Sequence, residues 1–214
     1  MDEDISIINT NSRNEKIKNF FINNKNKLIF GIIILLVGII GVYGFDKYQI
    51  NKKQQISDDY NLITIEYSKN NNIKITNKLI EIINAKDPTY SPLSLYFIID
   101  NKLLSDQKQI NKLFDILINQ TSLDDEINNL IIYKKALFNA DQLNEGDMLN
   151  ILNPLINSKS VWKSHALYLM AEYFYNKEQN QKAKEFFNQI TNSENPNPDI
   201  RLQAEKRLNR DLSE

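Results

Sequence analysis

Cysteine is absent from the 214 residues, and histidine and tryptophan occur once each. Without cysteine there is no disulfide, no thiolate metal site and no lipid attachment at a cysteine. With His165 alone, a histidine-built metal site or a histidine-dependent catalytic triad lacks its partners. Of five glycines, four lie in one stretch (Gly31, Gly38, Gly41, Gly44) and only Gly146 follows, so no glycine-rich loop is available to cradle phosphate. Lys and Arg number 26 against 27 Asp and Glu, a balance that argues against a nucleic-acid partner. No run alternates as a strand with hairpin signals. These gaps point away from an enzyme: no cofactor, metal or small-molecule substrate is expected, and Asp124-Asp125-Glu126 reads as first-turn acid complementing a helix dipole.

What the chain has in excess is asparagine, isoleucine and lysine, 31, 32 and 22 residues. The asparagines are dispersed rather than gathered in a tract, which fits codon bias better than a prion-like segment.

One stretch stands apart. Leu28 to Phe45 carries no charge and no strongly polar side chain. As a helix of 1.5 Å rise per residue it is about 27 Å long, close to the roughly 30 Å hydrocarbon core of a bilayer. It is apolar all round, which favours lipid over a soluble core, and its glycines are at home in a membrane helix. An export signal has a shorter apolar region followed by a small-x-small cleavage site; here the run leads into Val42-Tyr43-Gly44-Phe45-Asp46-Lys47-Tyr48. The expectation is an uncleaved anchor. Gly38, Gly41 and Gly44 drift slowly round one face, which either lets a second membrane helix approach or is ordinary glycine tolerance in lipid.

Arg13, Lys16, Lys18, Lys25 and Lys27 precede the run; Lys47, Lys52 and Lys53 follow it. That asymmetry puts the short N-terminus on the cytoplasmic side. The predicted organisation is a cytoplasmic start over 1–27, a transmembrane helix over 28–45, and a domain over 46–214 on the far side.

Beyond the anchor only helical periodicity is convincing. Asp46 to Ser68 extends the first helix, with Tyr60, Ile63 and Tyr67 on its apolar face, and Asn70-Asn71-Asn72 breaks it. Ile75, Leu79, Ile82 and Ile83 mark the next helix. Ser91-Pro92 reads as cap and first turn of another, bearing Leu93, Tyr96, Phe97 and Leu104. Ile110, Leu113, Phe114 and Leu117 mark a helix ending near Gln120. Ser122 to Asp125 reads as a capping box opening a helix with Ile127, Leu130, Ile131 and Leu137 on its apolar face. Asp147 starts a helix that Pro154 interrupts or kinks. Helices near 161–176 and 179–191 follow, and Asn197-Pro198 starts a charged last helix. Short helices joined by short turns bury their faces by stacking in antiparallel pairs.

SHALYLMAEYFYNKEQNQKAKEFFNQITNSENP, Ser164 to Pro196, resembles a tetratricopeptide repeat. Leu167, Met170, Ala171 and Phe174 take the packing positions of its first helix, and Ala183 and Phe187 those of the second. Ile190 departs from the usual small residue, and the proline comes one place late. Ala136, Met148, Leu152 and Leu155 keep the spacing one repeat earlier; pairs at about 56–86 and 92–119 keep only hydrophobic spacing. With NEKIKNFFINNKNKLIFGIIILLVGIIGVYGFDKYQ and ISDDYNLI, the chain resembles the family of the ancillary SecYEG translocon subunit. That resemblance implies an all-α protein: a single N-terminal transmembrane helix, then a tetratricopeptide-like stack in the periplasm. It implies a scaffold at the inner membrane whose partners are translocon subunits, periplasmic chaperones or their clients. Anchored proteins of this architecture also serve cytochrome maturation and cell division, which leaves an assembly factor for another envelope complex as the second reading.

His165, Tyr168, Glu172, Tyr175 and Asn176 share a helical face distinct from the packing face. Exposed tyrosines beside polar groups suit protein recognition, so these five are the candidate partner-binding residues. The alternative is that the last helix, 198–212, covers them. Trp162 reads as an anchor between adjacent pairs.

Overall fold

The computed structural model describes residues 2–67 and 72–213, with side chains from residue 13 onward and, in the second stretch, from residue 73. Among them are nine α-helices and no strand: α1 (Asp2–Glu66), α2 (Asn72–Asn84), α3 (Tyr90–Asp100), α4 (Gln107–Gln120), α5 (Asp125–Asn139), α6 (Glu145–Ile156), α7 (Lys163–Asn176), α8 (Asn180–Thr191) and α9 (Pro198–Asp211). The chain divides into two compact units, 1–55 and 56–214.

The first unit is helix throughout its described part. Its apolar run is the one described segment long and apolar enough to cross a membrane, and none of it is buried. Ile32 to Phe45 shows its apolar side chains outward on every side, with Leu35 and Val37 more than 60 % exposed. The run is therefore not the central helix of a soluble core. Around Gly38, Gly41 and Gly44 the space is open.

The second unit is a stack of helices around two clusters of buried side chains. One holds Ile63 at the end of α1, Ile75, Leu79, Ile82 and Ile83 of α2, Leu95 and Ile98 of α3, Ile110 to Leu117 of α4, and Ile131 of α5. The other holds Ala136 of α5, Met148, Leu152 and Leu155 of α6, Ala166 to Phe174 of α7, Ala183, Phe187 and Ile190 of α8, and Ala204 of α9. Helices α2, α4, α6, α7 and α8 bury the stripes that their 3.6-residue period predicts, whereas α3 and α5 bury theirs only in part, with Leu93, Ile127 and Leu137 exposed. The closest pair is α7 with α8, where Ala171 and Ala183 are fully buried and their small side chains let the two helices approach. Earlier in the chain α2 packs more closely on α3 than α3 does on α4, so the pairs expected at 56–86 and 92–119 are not the tightest ones there.

The expected break at Asn70-Asn71-Asn72 lies outside the described residues, except that Asn72 opens α2. Several helix starts differ from expectation, each time because a nearby side chain outcompetes the predicted cap. At α3 the Asp87 carboxylate accepts from the backbone N–H groups of Thr89 and Tyr90 at 2.8 Å. Ser91 lies inside that helix, and its hydroxyl donates to the Ile82 carbonyl of α2; Leu104 falls beyond the helix end. Asp124, not Ser122, caps α5 through Glu126 N–H. Asn144 caps α6 by accepting from Asp147 N–H, while its amide donates back to the Asp147 carboxylate at 2.7 Å. Pro154 is carried inside α6 without ending it; three residues from the end it removes one hydrogen bond of the last turn. Asn197 caps α9 with Pro198 at its first position, as read from the sequence.

Scarcity of glycine shows in the helix ends. Lys86, Lys102 and Glu178 adopt left-handed backbone with φ of 57°, 53° and 59°. Beside Lys102 and Glu178 the next N–H reaches back to the carbonyl five residues earlier, Leu103 to Ile98 and Gln179 to Phe174, both at 2.9 Å. These are Schellman ends, which glycine usually serves because a Cβ is strained there.

Between α4 and α5 sits a reciprocal amide pair. Asn111 and Asn139 each donate Nδ2 to the other's Oδ1 at 2.8 Å, and Asn139 Nδ2 also reaches the Lys135 carbonyl at 2.7 Å. Asn139 is buried, so both lone pairs and protons there must be met within the protein.

Candidate functional site

The five candidate residues lie along α7, and its packing explains their arrangement. Leu167, Met170, Ala171 and Phe174 turn inward; the face one-third of a turn away carries His165, Tyr168, Glu172, Tyr175 and Asn176. Asn176 is exposed and the other four are half-buried.

His165 sits against two rings, Trp162 at 5.0 Å and Tyr133 of α5 at 5.9 Å between centroids. Trp162 in turn stacks on Tyr133 at 5.7 Å and 23°, so it joins α5 to the start of α7 as the sequence suggested. His165 Nδ1 is buried without a partner of bonding geometry. Burial pushes its pKa down, and the nearby Val161 carbonyl opposes that without completing a hydrogen bond. The imidazole is accordingly neutral at pH 7. Tyr168 packs edge-on against Phe187 of α8 at 5.4 Å, and burial together with the adjacent Glu172 raises its pKa.

Glu172 and Tyr175 are engaged by α9. The Arg207 guanidinium meets Glu172 with two parallel bonds, Nε to Oε1 at 2.7 Å and Nη2 to Oε2. Its Nη1 reaches Asp211 at 2.6 Å, and its carbon lies 4.7 Å from the centre of the Tyr175 ring. This is bidentate and cation–π recognition at once. The Arg207 pKa is raised, chiefly by its bond to Glu172, and that of Asp211 is lowered, chiefly by Arg210 with Arg207 adding to it. Thus α9 covers the middle of the face, His165 is wedged among rings, and Asn176 stays open.

Sequence reasoning did not single out Arg207, although it lies 35 residues after Glu172, one repeat further on. Tyr133 stands the same interval before Tyr168. The repeat period was the signal that carried both. Two open clefts of about 620 and 650 Å³ lie beside the start of α7, and none of the five residues lines them. The candidate site is a face, suited to a macromolecular surface rather than an enclosed ligand. Among the described residues no group of three His, Asp or Glu side chains converges as a metal site would need.

Helices stacked as pairs, with an aromatic and polar face on one of them, define a tetratricopeptide-like protein. Comparison with known families agrees: residues 18–97 match the tetratricopeptide repeat-like domain, under half of the chain and spanning both the apolar run and the helices that follow it. No curated protein and no solved structure matches the chain. Domains of this kind are typically protein-interaction modules rather than catalysts.

Proposed function

We propose that the protein is a membrane-anchored scaffold that binds other proteins at the inner membrane, close to the protein-export translocon and periplasmic chaperones. The observation that carries this reading is an unburied apolar run followed by helices that fall with it inside one tetratricopeptide repeat-like family match, residues 18–97. In this reading 28–45 spans the bilayer, 1–27 is cytoplasmic, and 46–214 is periplasmic. Anchoring confines the binding domain to the membrane plane and raises its effective concentration near other membrane proteins. On the α7 face of His165, Tyr168, Glu172, Tyr175 and Asn176, contact is open at Asn176 and closed by α9 over Glu172 and Tyr175, and Gly38, Gly41 and Gly44 offer a second one within the membrane. The lysine and arginine asymmetry supports the orientation.

Two measurements test it. Protease added to spheroplasts digests the C-terminal domain if the orientation holds; a domain protected until the membrane is opened refutes it. Mild detergent extraction at native expression co-purifies translocon subunits. Recovery of a different envelope complex instead would transfer the protein to assembly work there.

A further inference from the structure

Helix α5 has two apolar stripes where one is needed for packing. Ile131 and Ala136 are fully buried, one in each core. Ile127 and Leu137 are 42 % and 50 % exposed, and with half-buried Leu130 they recur at intervals of three and seven residues, which places them on one helical face. Half-buried Leu130 is not among the side chains packed against either core. The sequence pattern had merged both stripes into a single apolar face. On α3, Leu93 is 40 % exposed and shares a face with Tyr96, three residues on.

Lys134 links the two helices. It stands four residues after Leu130 and three before Leu137, and its ammonium lies 4.9 Å from the centre of the Tyr96 ring. Its neighbour Lys135 is neutralised by Asp115 at 2.7 Å. Lys134 is exposed and meets no carboxylate among the described residues. The Tyr96 hydroxyl is buried without a partner, and burial pushes its pKa up to about 12. The surface therefore reads apolar, cation, apolar, resting on a tyrosine.

We propose that this α3–α5 surface seats an amphipathic helix of a partner protein that carries a carboxylate between two aliphatic side chains. Leu130 and Leu137 are about 10 Å apart along the axis at 1.5 Å per residue. That separation is matched by aliphatic residues seven apart on an opposing helix, with an acidic residue midway facing Lys134. Burying the aliphatic pairs supplies the affinity. The ion pair supplies discrimination, because a like charge at that point is penalised more strongly than a matched pair is rewarded. The inference rests on the protein-binding reading and names the seat and the partner's chemistry: Glu172 is already held by Arg207 within the chain, whereas Lys134 is not held by any acid.

The test uses the full-length protein in lipid nanodiscs and two fluorescent helical peptides. Both have leucines seven residues apart; one has glutamate midway and the other lysine. Fluorescence anisotropy is expected to show the glutamate peptide binding about tenfold more tightly, and K134E to reverse that order. Leu137→Asp is expected to weaken both peptides, and circular dichroism melts check that each variant folds. Failure of both peptides to bind, or the same preference in K134E, overturns the proposal. So does a self-association seen by sedimentation that Leu137→Asp dissolves, since the occupant is then a second copy. If partner proteins co-purify while the peptides are not discriminated, the scaffold reading survives and this seat does not.

Discussion

The two cores of the helical unit are built from different residues. Among the described residues, the core reaching from the end of α1 to α5 contains seven isoleucines in twelve and no alanine. The core from α5 to α9 contains five alanines in fifteen and a single isoleucine, Ile190. Alanine lets helix backbones approach, and α7 and α8, which bury Ala171 and Ala183 in full, are the most closely packed pair. Isoleucine holds helices apart and fills the gap with branched side chains. An alanine core depends on a few close crossings, while an isoleucine core spreads its contacts. The first leaves a spacing that can be read in a single sequence; the second leaves a hydrophobic pattern, and it is over part of this half that the family match falls.

That contrast can be broken by mutation. Phe187→Ala removes a fully buried ring that packs against Tyr168 and is expected to cost about 4 kcal/mol in urea unfolding. Ala171→Leu tests the close crossing itself: an expected loss of about 3 kcal/mol from overpacking, against about 1 kcal/mol for Ile83→Leu in the other core. Equal losses for these two would show that the cores do not differ in tolerance. Arg207→Ala frees Glu172 and Tyr175; because both ionic partners are about one-fifth exposed, the expected loss is about 1–2 kcal/mol, reduced at high salt. Glu178→Gly relieves the left-handed end of α7 and is expected to raise stability by about 0.5–1 kcal/mol, readable as a higher melting temperature.

The smallest effect concerns pH. Burial lowers the His165 pKa, so the native chain takes up that proton less readily than the unfolded chain. Stability is therefore full above the ordinary histidine value near 6.5. It falls as pH drops below that value, and levels off beneath the native one. His165→Gln is expected to flatten this part of a stability-against-pH curve; an unchanged slope would assign it to other groups.

Helix number and class were legible because periodicity survives even a biased composition: Ile75, Leu79, Ile82 and Ile83 mark α2 whatever lies between them. Helix starts were less so, because Ser122 and Asp124, or Asn144 and Asp147, are chemically equal bidders for the same N–H groups and only the fold selects one. For the candidate site, the face on α7 was readable as a face, yet its neighbour Arg207 sits on another helix. A one-dimensional pattern does not say which helix lies alongside. The doubled stripe of α5 was hidden for the same reason: Ile127, Ile131 and Leu137 look like one hydrophobic set until their neighbours are known.

The amide pair of Asn111 and Asn139 lies where the two cores meet, and it acts as a key. Hydrophobic side chains tolerate sliding, since one aliphatic contact replaces another at little cost. Amides do not. Slipping α4 past α5 by one turn would strand the buried Asn139 amide away from its half-buried partner Asn111, at about 1–3 kcal/mol. Two differently built cores could meet in several registers; this pair admits one.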